Sequence, residues 1–159
     1  MTIAYVGIGS NLDDPVRQVR AALDELERLP HTRLVTRSSL YRSAPLGYAD
    51  QPQFINAVAQ LETRLPAERL LVELQDIEAR RGRKRSFPNA PRTLDLDLLL
   101  FGASALSTPA LSVPHARMHE RAFVLRPLLE ISPDVAIPGR GPAKALLEAC
   151  KNQETERVD

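Results

Sequence analysis

The sequence predicts an α+β fold: a ferredoxin-like βαββαβ core whose antiparallel sheet carries helices packed on it, followed by short C-terminal strands and helices. Three observations predict it. Residues 2–9 are β-branched and small and apolar on both faces, as in a buried central strand. Residues 15–29 and a second stretch opened by Pro66 have apolar residues at helical spacing. Residues 94–101, LDLDLLLF, alternate at the period of a strand.

The elements run in order. Gly9-Ser10-Asn11 breaks the first strand. Asp14-Pro15 supplies an N-cap and a proline at the first helical position. Val16, Val19, Leu23 and Leu26 form that helix's apolar stripe, which stops at Pro30. Residues 32–42 alternate moderately through Leu34, Val35, Leu40 and Tyr41 and read as a second strand. Residues 44–52 hold two prolines and a glycine and read as a long loop. Residues 53–62 read as a third strand, with Phe54, Asn56 and Val58 on one face and Ile55, Ala57 and Ala59 on the other. Leu70, Leu71, Leu74 and Ile77 stripe the second helix, and Gly82 is its expected C-cap. Both helices are expected on one face of the sheet. The fourth strand is expected to point Leu94, Leu96, Leu98 and Leu100 at them. Residues 143–149 read as a last short helix, and the polar tail 151–159 is expected to be frayed.

Bulk composition narrows the class. A chain of 159 residues fits one domain with one core. Apolar residues make up 43% and charged residues 26%, an ordinary globular balance. A net charge of +1 gives no global pull toward nucleic acid or an anionic membrane. One cysteine, Cys150, cannot form an internal disulfide and suits a reducing cytosol. Neither a signal peptide nor a membrane-spanning run is read in the sequence, so a cytoplasmic location is expected. With no apolar interface repeat, a monomer is expected.

The chemistry-bearing segment is Asp95-Leu96-Asp97. On a strand these carboxylates share a face with Cα atoms roughly 6.5–7 Å apart. Alone, the pattern also fits the solvent face of an amphipathic strand. Its neighbours favour a metal: Arg80, Arg81, Arg83, Lys84, Arg85 and Arg92 precede it with no acid between Glu78 and Asp95. A Mg²⁺-binding carboxylate pair beside a cationic flap is what a polyphosphate requires. Aromatic content of 4% is low for a nucleic-acid platform. Val113-Pro114-His115 and Arg121 could donate to phosphates, and Asn56 between Phe54 and Phe123 could read the edge of a flat heterocycle. Neither a Walker loop nor a dinucleotide fingerprint is present around Gly7, Gly9 and Ser10.

The combination GSNL (9–12), SAPLG (43–47), FINAV (54–58), PRTLDLDLLLFG (91–102) and VPHARMHERAFVLRPL (113–128) resembles the 6-hydroxymethyl-7,8-dihydropterin pyrophosphokinase family of folate synthesis. The resemblance runs from Ala4 to about Pro138. It implies an ATP-dependent diphosphotransferase that passes pyrophosphate from ATP to the pterin hydroxymethyl group and leaves AMP. Asp95 and Asp97 would hold two Mg²⁺ ions, and Arg83 and Arg92 would act with them in catalysis. Gln75, Glu78, Arg83, Arg85, Arg92, Leu98, Leu111, Ser112, His115 and Arg121 would bind ATP. Ser43, Ala44, Pro45, Leu46, Gly47, Phe54, Asn56 and Phe123 would hold the pterin. Loops 44–52 and 82–91 would act as lids ordered by ATP. The chain departs from the family pattern at Asn89-Ala90, Ala110 and Ala116, with Phe87 the candidate to take over an aromatic stacking role. Two other classes share parts of the pattern: a palm-like two-metal nucleotidyl transferase and a ferredoxin-like RNA-binding module.

Overall fold

A computed structural model of the chain describes residues 1–44, 52–81 and 94–158. The elements run β1 (Thr2–Ser10), α1 (Pro15–Glu27), β2 (Thr32–Arg37), β3 (Tyr41–Ser43), β4 (Phe54–Thr63), α2 (Ala67–Arg80) and β5 (Asp95–Phe101). A smaller set comes next: β6 (Leu106–Ser107), β7 (Ser112–Val113), a 3₁₀ turn (Met118–Glu120) and α3 (Ala122–Ile131). The chain closes with β8 (Ala136–Ile137), β9 (Gly141–Pro142), α4 (Ala143–Glu148) and β10 (Thr155–Arg157). The main sheet has the order β10-β3-β4-β1-β5, with β2 also on β4, and all its pairings are antiparallel. That is the predicted split-βαβ arrangement. Gly82, the expected cap of α2, lies outside the described residues.

Both predicted helices pack on one face. Val19, Ala22, Leu23 and Leu26 of α1 and Leu70, Leu74 and Ile77 of α2 meet Ala4, Val6, Ile8, Ile55, Leu61, Leu96 and Leu98 of the sheet. Each large side chain so buried stabilises the fold by about 1.5–3 kcal/mol. Asp14 does not cap α1 with its side chain: its φ of 61° leaves the carboxylate with no cap hydrogen bond. Instead the Gln18 side chain donates to the Asp13 carbonyl.

The expectation that the helices occupy one face alone is incomplete. The other face is covered in part by the C-terminal layer, where Met118, Val124, Leu125, Leu128, Ala143 and Cys150 pack on Tyr5, Val58, Leu99 and Leu100. Pro127 hides α3 from a reading of the sequence, because proline inside a helix removes a hydrogen bond. Burial of Pro127 with Val124, Leu125 and Leu128 offsets that loss.

Register shifts correct the predicted strands. On β5, Tyr5 pairs with Leu100 and Val6 with Leu98, so Leu99 is an inserted residue. Leu94, Leu96 and Leu98 therefore face α1 and α2 as expected, but Leu100 joins Leu99 in the C-terminal layer. The strand expected over 32–42 is two strands. Ser38 exchanges bonds with Val58 through its own N–H and its hydroxyl, each at 2.9 Å, and the register on β4 slips by one residue before Tyr41. Leu40 and Tyr41 then alternate as strand neighbours do, Leu40 against α1 and α2 and Tyr41 beside Glu130 of α3.

The tail is also corrected. Thr155–Arg157 is not frayed but pairs with β3 as the sheet's last strand, and Arg126 donates to the Thr155 hydroxyl. The polar sequence hid this because backbone pairing needs no apolar side chain.

Glu130 pins α3 to the break between β2 and β3. It accepts from the Ser39 N–H, the Ser39 hydroxyl and the Tyr41 hydroxyl. Burial first, and then the hydrogen bond to this carboxylate, push the Tyr41 phenol up to about 12. For Glu130, burial acts to raise the carboxyl, but the bonds from Tyr41 and Ser39 outweigh it and hold the group below its ordinary value. A carboxylate so lowered adds stability above its unfolded pKa, and that stability is lost as pH falls through the folded value. Glu130→Gln should lower Tm by about 2–4 °C near neutral pH, the scale of one net hydrogen bond in a chain of this size. The gap from the parent protein should close below about pH 4. Thermal melts of both proteins across the acid range check this, and a gap independent of pH would exclude the Glu130 charge as its source.

Candidate active site

The C-terminal layer stops partway along its face of the sheet and leaves a cleft over the rest. The floor is set by strand register. Gly9 of β1 sits opposite Asn56 of β4 on one side and opposite Asp95 of β5 on the other. Gly7 sits opposite Val58 and Asp97. The middle strand thus has no side chains at these two positions. A Cβ at Gly9 would meet the Asn56 Oδ1 at 3.3 Å, and one at Gly7 would meet the Leu99 side chain at 3.4 Å. With strands about 4.8 Å apart, the amide row and the carboxylate row are separated by roughly 10 Å.

The walls come from three elements. β4 supplies Phe54 and Asn56, β3 and the residue after it supply Ser43 and Ala44, and the start of α3 supplies Arg121, Phe123 and Val124. Asn56 is 4% exposed and donates from Nδ2 to the Ser43 hydroxyl at 2.6 Å. That bond fixes the amide so that Oδ1 faces the glycine floor as an acceptor. The Arg121 guanidinium lies over the Phe123 ring at 5.5 Å from its centroid. Asn11, 1% exposed, holds the Pro52 carbonyl from its Nδ2 at 3.0 Å, so GSNL anchors the chain just ahead of β4.

His115 stands at the carboxylate end. Its N–H donates to the carbonyl of the inserted Leu99 at 2.8 Å, which docks the segment after β7 on the edge of β5. Burial chiefly, and then the Arg121 and Arg117 charges, lower the imidazole pKa against the opposing pull of Asp95. Nδ1 accepts from the Arg117 N–H at 3.1 Å. The neutral ring therefore carries its proton on Nε2, which faces the Asp97 Oδ1 at 4.0 Å. A ligand oxygen or a water can bridge that separation.

The structure gathers Ser43, Ala44, Phe54, Asn56, Asp95, Asp97, Arg121 and Phe123 around one cleft, with His115 at its edge. Other predicted residues are elsewhere. Leu98 and Leu111 are buried on the far side of the floor, against α1 and α2. Glu78 is buried and accepts the Leu96 N–H of β5 at 2.7 Å. Gln75 is exposed on α2, and Ser112 is exposed on β7. These five lie around the outer strand β5 and its neighbours, not inside the cleft. Pro45, Leu46, Gly47, Arg83, Arg85, Phe87 and Arg92 lie outside the described residues, as does most of both expected lids. Of the cations counted in the flap, Arg80 pairs with Glu25 at 3.1 Å and Arg81 donates to the Gln18 side chain, so both brace α1. Gly7 and Gly9 are cleft residues to which the sequence alone assigns no role. Their signal is two glycines at the strand period within an otherwise packed strand.

Among the described residues, no group of three or more His, Cys, Asp or Glu side chains could hold a metal by protein ligands alone. Asp95 and Asp97 do fit Mg²⁺, which keeps several waters and takes the rest of its ligands from phosphate oxygens. Among the described residues no helix is long and apolar enough to cross a membrane.

The family described as 7,8-dihydro-6-hydroxymethylpterin-pyrophosphokinase (HPPK) matches residues 5–133. A 2-amino-4-hydroxy-6-hydroxymethyldihydropteridine pyrophosphokinase of Pseudomonas aeruginosa is 53% identical over 154 residues, covering 97% of this chain and 95% of the relative. The corresponding protein of Haemophilus influenzae is 49% identical over 138 residues, 87% of this chain and 86% of its own. A crystal structure of an HPPK-DHPS in complex with substrates superimposes with a TM-score of 0.72 at 12% identity, over 93% of this chain and 43% of that one. This chain thus spans less than half the length of that protein, and the likeness speaks for the fold alone. The half-covered sheet face and these matches lead to one conclusion: the chain belongs to the 7,8-dihydro-6-hydroxymethylpterin pyrophosphokinase family.

Proposed function

We propose that this cleft takes ATP and 6-hydroxymethyl-7,8-dihydropterin and carries out that family's reaction. The observation that carries the proposal is the shared floor. An amide and aromatic pocket for a flat heterocycle opens, across Gly7 and Gly9, onto a carboxylate pair suited to a metal-polyphosphate.

Asn56 Oδ1 accepts from the amino and lactam edge of the pterin, held in that orientation by Ser43. Phe54 and Phe123 bound the ring. Arg121 and the Nε2–H of His115 take phosphate oxygens, and Arg83, Arg85 and Arg92 are assigned to the same polyphosphate. Two Mg²⁺ ions held by Asp95 and Asp97 would neutralise the phosphates and lower the pKa of the pterin hydroxyl. The hydroxymethyl oxygen attacks the β-phosphorus in line. The bond from that phosphorus to the α–β bridging oxygen breaks, AMP leaves with the oxygen, and the hydroxyl proton passes to water. The protein's task is positioning and charge neutralisation, which suits a site built on a rigid sheet. Gln75, Glu78, Leu98, Leu111 and Ser112, which lie around β5 outside the cleft, are assigned to binding the nucleotide of ATP. The single cysteine, free and buried, suits a reducing cytoplasm.

Incubation with Mg-ATP and the reduced hydroxymethylpterin should yield AMP and the pterin diphosphate in equal amounts. Release of ADP, or no AMP, would contradict the proposal. Asp97→Ala should lower kcat by about two orders of magnitude or more while Tm stays nearly unchanged or rises; loss of folding would mark Asp97 as structural. Gly9→Val places side-chain atoms against Asn56 Oδ1 and should raise the KM for the pterin about tenfold or more. The KM for Mg-ATP should move far less. Equal rises in both would remove Gly9 from the heterocycle's floor.

A further inference from the structure

We infer that Gln153, in the polar tail, is a positioning residue for the cleft: its side-chain amide clamps the backbone on both sides of Arg121. The inference rests on the proposed roles of Arg121 and Phe123. Gln153 Oε1 accepts the Ala122 N–H at 3.0 Å, and Gln153 Nε2 donates to the Glu120 carbonyl at 2.7 Å. Arg121 is the residue between them, in an extended conformation (φ −121°, ψ 106°) that joins the 3₁₀ turn to α3.

The local bonds at that joint are all backbone: the Arg121 N–H donates to the Met118 carbonyl at 3.2 Å, and the Arg121 carbonyl accepts from the Val124 and Leu125 N–H groups at 3.0 Å. The residue at the N-cap of α3 is Arg121 itself, which makes no side-chain cap bond. A helix start leaves its first N–H groups unpaired within the helix. Here one of them is satisfied by a side chain 31 residues further along the chain. The clamp also fixes the direction in which Arg121 leaves the backbone, and with it the guanidinium stacked on Phe123. Both side chains line the cleft.

The same tail reaches the opposite wall. Two residues beyond Gln153, Thr155 pairs with Ser43, the residue whose hydroxyl orients Asn56. Arg126 of α3 donates to the Thr155 hydroxyl at 2.7 Å. The segment from Gln153 to Thr155 is therefore a strap. It holds the phosphate-side arginine at one end and the heterocycle-side amide at the other, and no part of it lines the cleft between Gly9 and Asp97.

Steady-state kinetics of Gln153→Ala and Gln153→Glu, with amide exchange at Ala122 followed by NMR, test the inference. Gln153→Glu keeps an acceptor for the Ala122 N–H and loses the donor to Glu120. Gln153→Ala should lower kcat/KM for the pterin about ten- to hundredfold, with Tm down by no more than about 5 °C. It should also speed exchange at Ala122 while core amides of β1 stay protected. Gln153→Glu should keep Ala122 protected and fall between the two in kcat/KM. If Gln153→Ala stays within twofold of the parent, the inference is overturned. It is equally overturned if the loss simply tracks Tm in both variants. AMP formation by the parent protein leaves the proposed function standing in either case.

Discussion

The cleft depends on a strand that gives up its side chains at two positions. Gly7 and Gly9 lie between Asn56 on one neighbouring strand and Asp95 and Asp97 on the other. Because strand register is fixed by the buried face, these residues cannot drift relative to one another without exposing Ala4, Val6 and Ile8. The core packing against α1 and α2 therefore sets the spacing of the site on the opposite face. A side chain at Gly9 would fill the place where a ring can lie against the Asn56 amide.

The second face is covered only as far as the chemistry allows. α3 and α4 bury Tyr5, Val58, Leu99 and Leu100, and the boundary of that layer, at Arg121 and Phe123, is the wall of the cleft. The inserted Leu99 serves both halves. Its side chain enters the C-terminal layer, while its carbonyl receives the His115 N–H and brings the imidazole beside Asp97. Such an insertion bends a strand and re-aims the residues beyond it, and here it separates the carboxylate segment of β5 from its apolar segment.

Much of this is legible in the sequence. The continuous apolar run of β1, the alternation of β4 and β5 and the periods of both proline-opened helices supply the sheet order's ingredients, and Asp95 and Asp97 are visible as the polar phase of an apolar strand. Asn56 is visible as a lone amide among apolar neighbours. The hidden features have physical reasons. A bulge alters which face a residue takes without altering composition, so simple alternation puts Leu100 on the wrong side. Ser38 replaces a ladder contact with a hydroxyl, which alternation does not register. Pro127 masks α3, and the polar residues 153–157 mask a strand and a clamp made of backbone and amide hydrogen bonds. The glycine floor is present as a pattern, yet it acquires meaning only once the partners on both neighbouring strands are known.

In the proposed function, Asp95 and Asp97 make this floor a site for metal-bound polyphosphate. Calorimetric titration with an ATP analogue carrying a methylene between the α- and β-phosphorus measures it directly, with and without Mg²⁺. The parent protein should bind the analogue far more tightly with Mg²⁺ than without, and Asp97→Asn should lose most of that difference. An Asp97→Asn protein that retained the full Mg²⁺-dependent gain in affinity would exclude Asp97 as a ligand of the metal.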